Sequence, residues 1–139
     1  MLQPETSPHG PAFGPDNTPY TAIGGDAAVR ALVDTFYDYM DREPAFATIR
    51  ALHPPDLATS REKLYEFLSG WLGGPQLYIE KYGHPRLRGR HMPFPIGETE
   101  RDQWLACMKL ALDERNITGD IRTFLDSRFA HVADFMRNR

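Results

Sequence analysis

Apolar residues recur along most of this chain at steps of three and four. Val29, Leu32, Val33, Phe36, Tyr37 and Met40 draw one stripe, the mark of a helix with a single buried face. Gly24-Gly25-Asp26 ahead of it reads as a turn and helix N-cap, and Pro44 breaks the helix. Phe46, Ile49 and Leu52 predict a short helix ending before His53-Pro54-Pro55. Asp56 is placed to cap the next helix, which carries Leu57, Leu64, Phe67, Leu68, Trp71 and Leu72 and is stopped by Gly73-Gly74-Pro75. From Gln76 to Ile96 the chain is irregular, aromatic and basic, with room for one short helix around Leu87–His91. Thr99-Glu100-Arg101-Asp102 has the form of a capping box opening a helix with Trp104, Leu105, Met108 and Leu112. Beyond Asn116 and Gly119 a last helix bears Ile121, Phe124, Leu125, Phe129, Val132, Phe135 and Met136. The alternation of strands is missing and no internal repeat occurs. The pattern predicts an all-α domain.

Composition adds boundaries to this picture. Residues 1–19 contain five prolines and few apolar residues, too little to offset the entropy of ordering. They read as a flexible tail ahead of one domain over residues 20–139. The formal charge of −3, from 16 basic and 19 acidic residues, argues against a nucleic-acid partner. Cys107 is the only cysteine, which fits a reducing cytoplasm. On an amphipathic helix it reads as a buried, inert thiol. The first residues, Met1-Leu2-Gln3-Pro4-Glu5, lack the basic leader and apolar core of a signal peptide. No run approaches the roughly 18 apolar residues of a membrane span. These features predict a soluble cytoplasmic protein.

The five histidines are His9, His53, His84, His91 and His131. None forms a His-x-x-x-His or Glu-x-x-His pair, so zinc-protease and di-iron chemistry lack their ligands. A Gly-x-Ser-x-Gly nucleophile motif and a Lys-bearing phosphate loop are also missing. Periodicity and composition by themselves reach a helical domain and no function.

Four local features, in a fixed order, go further. Phe36-Tyr37 lies on the first long helix, and Gly73-Gly74-Pro75 ends the middle one. Then come Tyr82-Gly83-His84-Pro85-Arg86-Leu87-Arg88-Gly89-Arg90-His91-Met92-Pro93-Phe94 and Arg101-Asp102-Gln103-Trp104-Leu105-Ala106-Cys107-Met108. Together they resemble group II of the truncated haemoglobin family over about residues 20–139. The resemblance implies a truncated globin, a two-over-two helical sandwich around haem b. It implies His91, of the Arg-His-x-Pro-Phe run, as proximal ligand to the iron, its second ring nitrogen held by an acceptor. His84 is the rival, less suited because Pro85 biases it to extended backbone. Arg88 and Arg90 are expected to meet the haem propionates through charge-assisted bonds, and Phe67, Leu68 and Met108 to pack on the cofactor.

On the opposite side the resemblance places Tyr37, His53, Ser60, Leu64 and Trp104. The Tyr37 hydroxyl and the Trp104 indole N–H, a pure donor, would stabilise a partly anionic ligand. His53 stands where many members carry tyrosine or phenylalanine, and Ser60 where the family varies. The implied function is reversible binding of dioxygen and other diatomic ligands, with redox chemistry on nitric oxide, nitrite or peroxide as an extension and a reductase as electron donor. Two readings compete with it: a peroxidase-like enzyme using His53 and Tyr37, and a haem-free helical interaction module with Trp104 and Phe67 merely in the core. A monomer or weak homodimer is expected.

Overall fold

The computed structural model describes Phe13 and residues 17–139. Most of the expected N-terminal tail falls outside the described residues. Phe13 packs edge-on against Phe124, ring centroids 4.8 Å apart.

Eight α-helices follow in the described residues: α1 (Pro19–Ile23), α2 (Asp26–Arg42), α3 (Ala47–Arg50), α4 (Ala58–Trp71), α5 (Leu77–Tyr82), α6 (Leu87–His91), α7 (Glu98–Glu114) and α8 (Gly119–Phe135). A 3₁₀ turn, Pro44–Phe46, leads into α3. The stripe read from the sequence forms the buried face of α2: Val29, Leu32, Val33 and Phe36 are all fully enclosed. α2 packs on both α4 and α7, and α7 packs on α8. Four long helices thus form two layers, α2 with α4 and α7 with α8. At the α2–α7 contact the Cys107 thiol is fully buried and donates to the Phe36 carbonyl at 3.2 Å. Burial pushes its pKa up to about 12, so it is held as the thiol.

Helix boundaries depart from the sequence reading in three places. Gly25, not Asp26, is the N-cap of α2; Asp26 instead accepts a bond from the Tyr65 hydroxyl, tying α2 to α4. α7 starts at Glu98, where the Glu100 carboxylate accepts from the Gly97 N–H at 2.8 Å, so the box closes ahead of Thr99. The stretch read as irregular holds two short helices, α5 as well as α6. Asp56 does serve the start of α4, accepting from the Ala58 N–H at 2.8 Å.

The Gly73-Gly74 turn has a packing reason. Gly73 takes φ +96, a left-handed conformation open to glycine. A Cβ on Gly74 would overlap the Tyr20 ring, and the Tyr20 N–H donates to the Leu72 carbonyl at 2.9 Å. α1 is thereby seated on the end of α4. Among the described residues, no helix is long and apolar enough to cross a membrane.

Candidate functional site

Between the two layers and α6 lies a cavity of about 480 Å³, within the range of small-molecule and cofactor sites. Most of its wall is apolar. Leu64, Phe67, Leu68 and Trp71 enter from α4, Phe129, Val132 and Ala133 from α8, and Ile49 and Leu52 from α3 and the turn after it. Rings hold one another in place along this wall. Trp71 stacks on Phe129 at 5.2 Å, Phe129 meets Trp104 at 5.6 Å, Trp104 meets Phe36 at 5.2 Å, and Phe36 meets Tyr37 at 5.0 Å. Such tilted and offset contacts fix ring orientation beyond simple burial.

His91, the last residue of α6, lines one side of the cavity and is half-buried. Its Nδ1 lies 2.7 Å from the Leu87 carbonyl one turn back. A carbonyl only accepts, so Nδ1 carries the proton and Nε2 keeps its lone pair. His84 is exposed and absent from the cavity wall; its Nδ1 accepts from the Arg86 N–H at 3.3 Å. Arg86 itself adopts φ +50.

Tyr37, His53, Ser60, Leu64 and Trp104 all line the cavity. Tyr37 is 5% exposed, and burial pushes its phenol far above the usual tyrosine range, with Arg61 opposing the shift. It is therefore a protonated donor throughout the physiological range. His53 is half-buried and hydrogen-bonds the Ile49 carbonyl through Nδ1 at 2.8 Å, leaving an Nε2 lone pair by the same reasoning. Burial is the chief cause that lowers its pKa; the charges of Arg50 and His91 add to it, and the Ile49 bond works against it.

Of the residues expected at a cofactor, Phe67, Leu68, Arg90 and His91 line the cavity. Met108 does not. It is 1% exposed in the core with Cys107 and Leu112 and borders a separate hollow between α7 and α8. The side chain of Arg88 falls outside the described residues. Arg90 is exposed at the rim, its Nε donating to the Pro85 carbonyl at 2.8 Å. Sequence reasoning missed Lys63 and Arg101, two further cations at the cavity. Arg101 is already paired with Asp134 and Asp102, at 2.8 and 3.0 Å, whereas Lys63 is exposed. It also missed Asn138, whose side-chain amide reaches the chain beside His91.

These residues fit a haem. A flat apolar macrocycle matches the apolar slot, its carboxylates match the cations at the rim, and its four ring nitrogens leave the protein to supply a single imidazole. Among the described residues no group of three or more His, Cys, Asp or Glu stands together to hold a metal by side chains alone. The His91 Nε2 on one wall, with the Tyr37 phenol, the Trp104 indole and the His53 imidazole on the others, matches what an iron porphyrin requires. Fold and site together define a haem-binding helical protein of the globin class.

The comparisons with known proteins carry this to a family. The model of the family "Bacterial-like globin" matches residues 18–138, and the chain belongs to that family. It is 44% identical over 123 residues to the group 2 truncated hemoglobin YjbI of Bacillus subtilis (strain 168), covering 88% of this chain and 90% of that one. The group II 2-on-2 hemoglobin of the plant pathogen Agrobacterium tumefaciens superposes with a TM-score of 0.84 at 49% identity, covering 87% of this chain and 94% of that one. The cold-adapted truncated hemoglobin of the Antarctic bacterium Pseudoalteromonas haloplanktis TAC125 superposes with a TM-score of 0.85 at 43% identity, covering 88% and 98%. The chain has the two-over-two truncated globin fold, its cofactor is haem, and its role is that of an oxygen-binding globin.

Proposed function

We propose that His91 holds the haem iron through Nε2 and that Tyr37 and Trp104 retain a diatomic ligand on the opposite side. The observation that supports this best is the 2.7 Å bond from His91 Nδ1 to the Leu87 carbonyl. It fixes the tautomer, makes Nε2 the ligating atom and raises its basicity. Haem supplies the iron that takes up and releases dioxygen and similar diatomic ligands.

The chain's own residues do the rest. Tyr37 stays protonated and can donate to a ligand that gathers negative charge. Trp104, locked between Phe36 and Phe129, directs an indole N–H that can only donate. Leu64 and Phe67 keep water from the apolar wall, which strengthens both donations. Ser60 adds a small polar edge. Arg90 and Lys63 neutralise the propionates at the rim. Reduction of the iron is assigned to an electron-donating reductase, and the protein is placed in the cytoplasm as a monomer or weak homodimer. Redox chemistry on nitric oxide, nitrite or peroxide extends the same site.

A peroxidase-like activity is the second reading, and His53 favours it. Its Nε2 lone pair and lowered pKa give a neutral base in the cavity wall, the group that would accept a proton from a peroxide. Optical spectra of the ferric, ferrous and carbon monoxide forms test the first reading: a Soret band that shifts with carbon monoxide is expected, and its absence refutes haem binding. Steady-state turnover with peroxide, lost in His53→Phe, distinguishes the second.

A further inference from the structure

The loop that follows His91 has few ways to hold its own shape. Pro93 and Pro95 lack N–H donors, and the bonds the segment makes for itself are short-range turns, from the Met92 N–H to the Gly89 carbonyl at 3.3 Å and from the Phe94 N–H to the His91 carbonyl at 3.0 Å. Met92, Pro93, Phe94 and Pro95 are all exposed, so packing does not fix them either.

The end of the chain adds the long-range hold, through Asn138 above all and through the Arg139 N–H, which donates to the Ile96 carbonyl at 3.2 Å. The Asn138 side-chain Nδ2 donates to the His91 carbonyl at 3.2 Å and to the Phe94 carbonyl at 2.8 Å. Its Oδ1 accepts from the Ile96 N–H at 3.0 Å, and its backbone N–H donates to the Ile96 carbonyl at 2.8 Å. Both amide donors are therefore spent on one six-residue stretch, from His91 to Ile96, and the amide oxygen is shared between Ile96 and the Arg139 guanidinium at 3.3 Å. Asn138 is in turn carried by the end of α8: the Arg137 N–H donates to the Asp134 carbonyl at 3.1 Å, and the Arg137 guanidinium pairs with Asp134 and, at 3.7 Å, with Glu98 at the start of α7.

We infer that Asn138 is a positioning residue for the proximal histidine: it anchors the His91 main chain to the α7–α8 layer and so sets the pose of the imidazole. The inference rests on the assignment of His91 as iron ligand. Only a side-chain amide meets the geometry. An aspartate keeps the acceptor for Ile96 but cannot donate to His91 and Phe94, and an alanine loses all three side-chain bonds to the segment.

The test uses the full chain with haem and compares wild type, Asn138→Asp, Asn138→Ala and Arg122→Ala. Arg122 pairs with Asp113 and Asp126 on the far part of α7–α8, so its loss lowers stability without touching the His91 loop. The first readout is the iron–histidine stretching band of the ferrous five-coordinate form by resonance Raman. The second is haem transfer to excess apomyoglobin. The third, in the apo-protein, is amide exchange at Ile96 by NMR.

Asn138→Ala is expected to broaden or shift the stretching band and to speed both haem release and Ile96 exchange about fivefold or more, the scale of lost hydrogen bonds. Asn138→Asp should shift the band while keeping Ile96 protected, and Arg122→Ala should leave the band where it is. If Asn138→Ala has the wild-type band and releases haem no faster than Arg122→Ala, the positioning role is refuted. A wild-type protein with no iron–histidine band overturns the ligand assignment, and the inference with it; unchanged Ile96 exchange in Asn138→Ala refutes the anchor independently of haem.

Discussion

His53 and Tyr37 meet edge to face across the cavity wall, ring centroids 5.7 Å apart and planes at 79°. The imidazole that faces the phenol is held from behind by the Ile49 carbonyl, so its orientation is set by the α3 backbone. Three charged or titratable groups bear on His53: Tyr37 from α2, Arg50 on α3, and His91 across the cavity.

This pairing gives a pH prediction. His53 has a folded pKa below its ordinary 6.5, so below pH 6.5 the unfolded chain binds the proton first. The stability it confers is complete above 6.5 and is lost as pH falls through the lower folded value. Urea midpoints measured from about pH 7.5 to about pH 5 should fall more steeply in wild type than in His53→Phe. The ferric and carbon monoxide spectra should titrate in the same window, because protonation removes an acceptor beside Tyr37. Identical spectral titrations in wild type and His53→Phe place His53 outside the working site.

Removal of the proximal imidazole is the most direct test of the assignment. His91→Ala should bind haem weakly, with an altered spectrum and rapid transfer to apomyoglobin. His84→Ala should match wild type, since His84 is exposed and away from the cavity. The opposite pattern makes His84 the ligand.

The two donors predict ligand kinetics. A hydrogen bond to a charged partner contributes about 1.5–3 kcal/mol, or roughly tenfold and more in an equilibrium. Tyr37→Phe and Trp104→Phe should each raise the oxygen off-rate by about that factor, with a smaller effect on carbon monoxide, which carries less charge when bound. Stopped-flow off-rates within twofold of wild type for both variants would remove the network.

Gly74 offers a prediction on stability alone. Alanine there drives a methyl into the Tyr20 ring, an overpacking cost of about 1–3 kcal/mol. Denaturant titration should show that loss in Gly74→Ala and a partial recovery in Tyr20→Ala/Gly74→Ala relative to the sum of the single variants.

Cys107 predicts thiol reactivity. With its pKa near 12 and no exposure, the native protein should resist a disulfide reagent at mildly alkaline pH. Labelling should appear only in denaturant, and fast labelling of the native protein would contradict the burial.

What could be read in advance follows physical range. The stripe on α2 and the apolar rows of α4, α7 and α8 are set by local periodicity, and they emerge on the core or cavity side of those helices, except Phe135 on α8, which is 49% exposed. The motif around His91 placed the one imidazole that α6 turns to the cavity. α5 was invisible because Leu77–Tyr82 is too short for a periodic signal and has no capping side chain. Met108 was expected at the cofactor from the family resemblance alone; about 6 Å along α7 from Trp104, its side chain meets the α2–α7 core instead. Asn138 could not be read at all, since it stands 47 residues from the carbonyl it holds, and no local pattern links the two.

Residues 84–95, which include α6, contain no buried residue among those described, while α2 and α7 share a fully enclosed core. Regions so unequal open separately: a thinly packed segment can unfold and refold many times while the rest stays native. If His91 holds the iron, escape of the cofactor is expected to follow the lifetime of this one surface segment rather than the melting of the molecule. A substitution that weakens the α2–α7 core can lower the unfolding midpoint and leave haem affinity untouched, and one that frees the segment can do the reverse. With His91 as the iron ligand, thermal endurance and hold on the haem are expected to be separate properties, open to independent tuning.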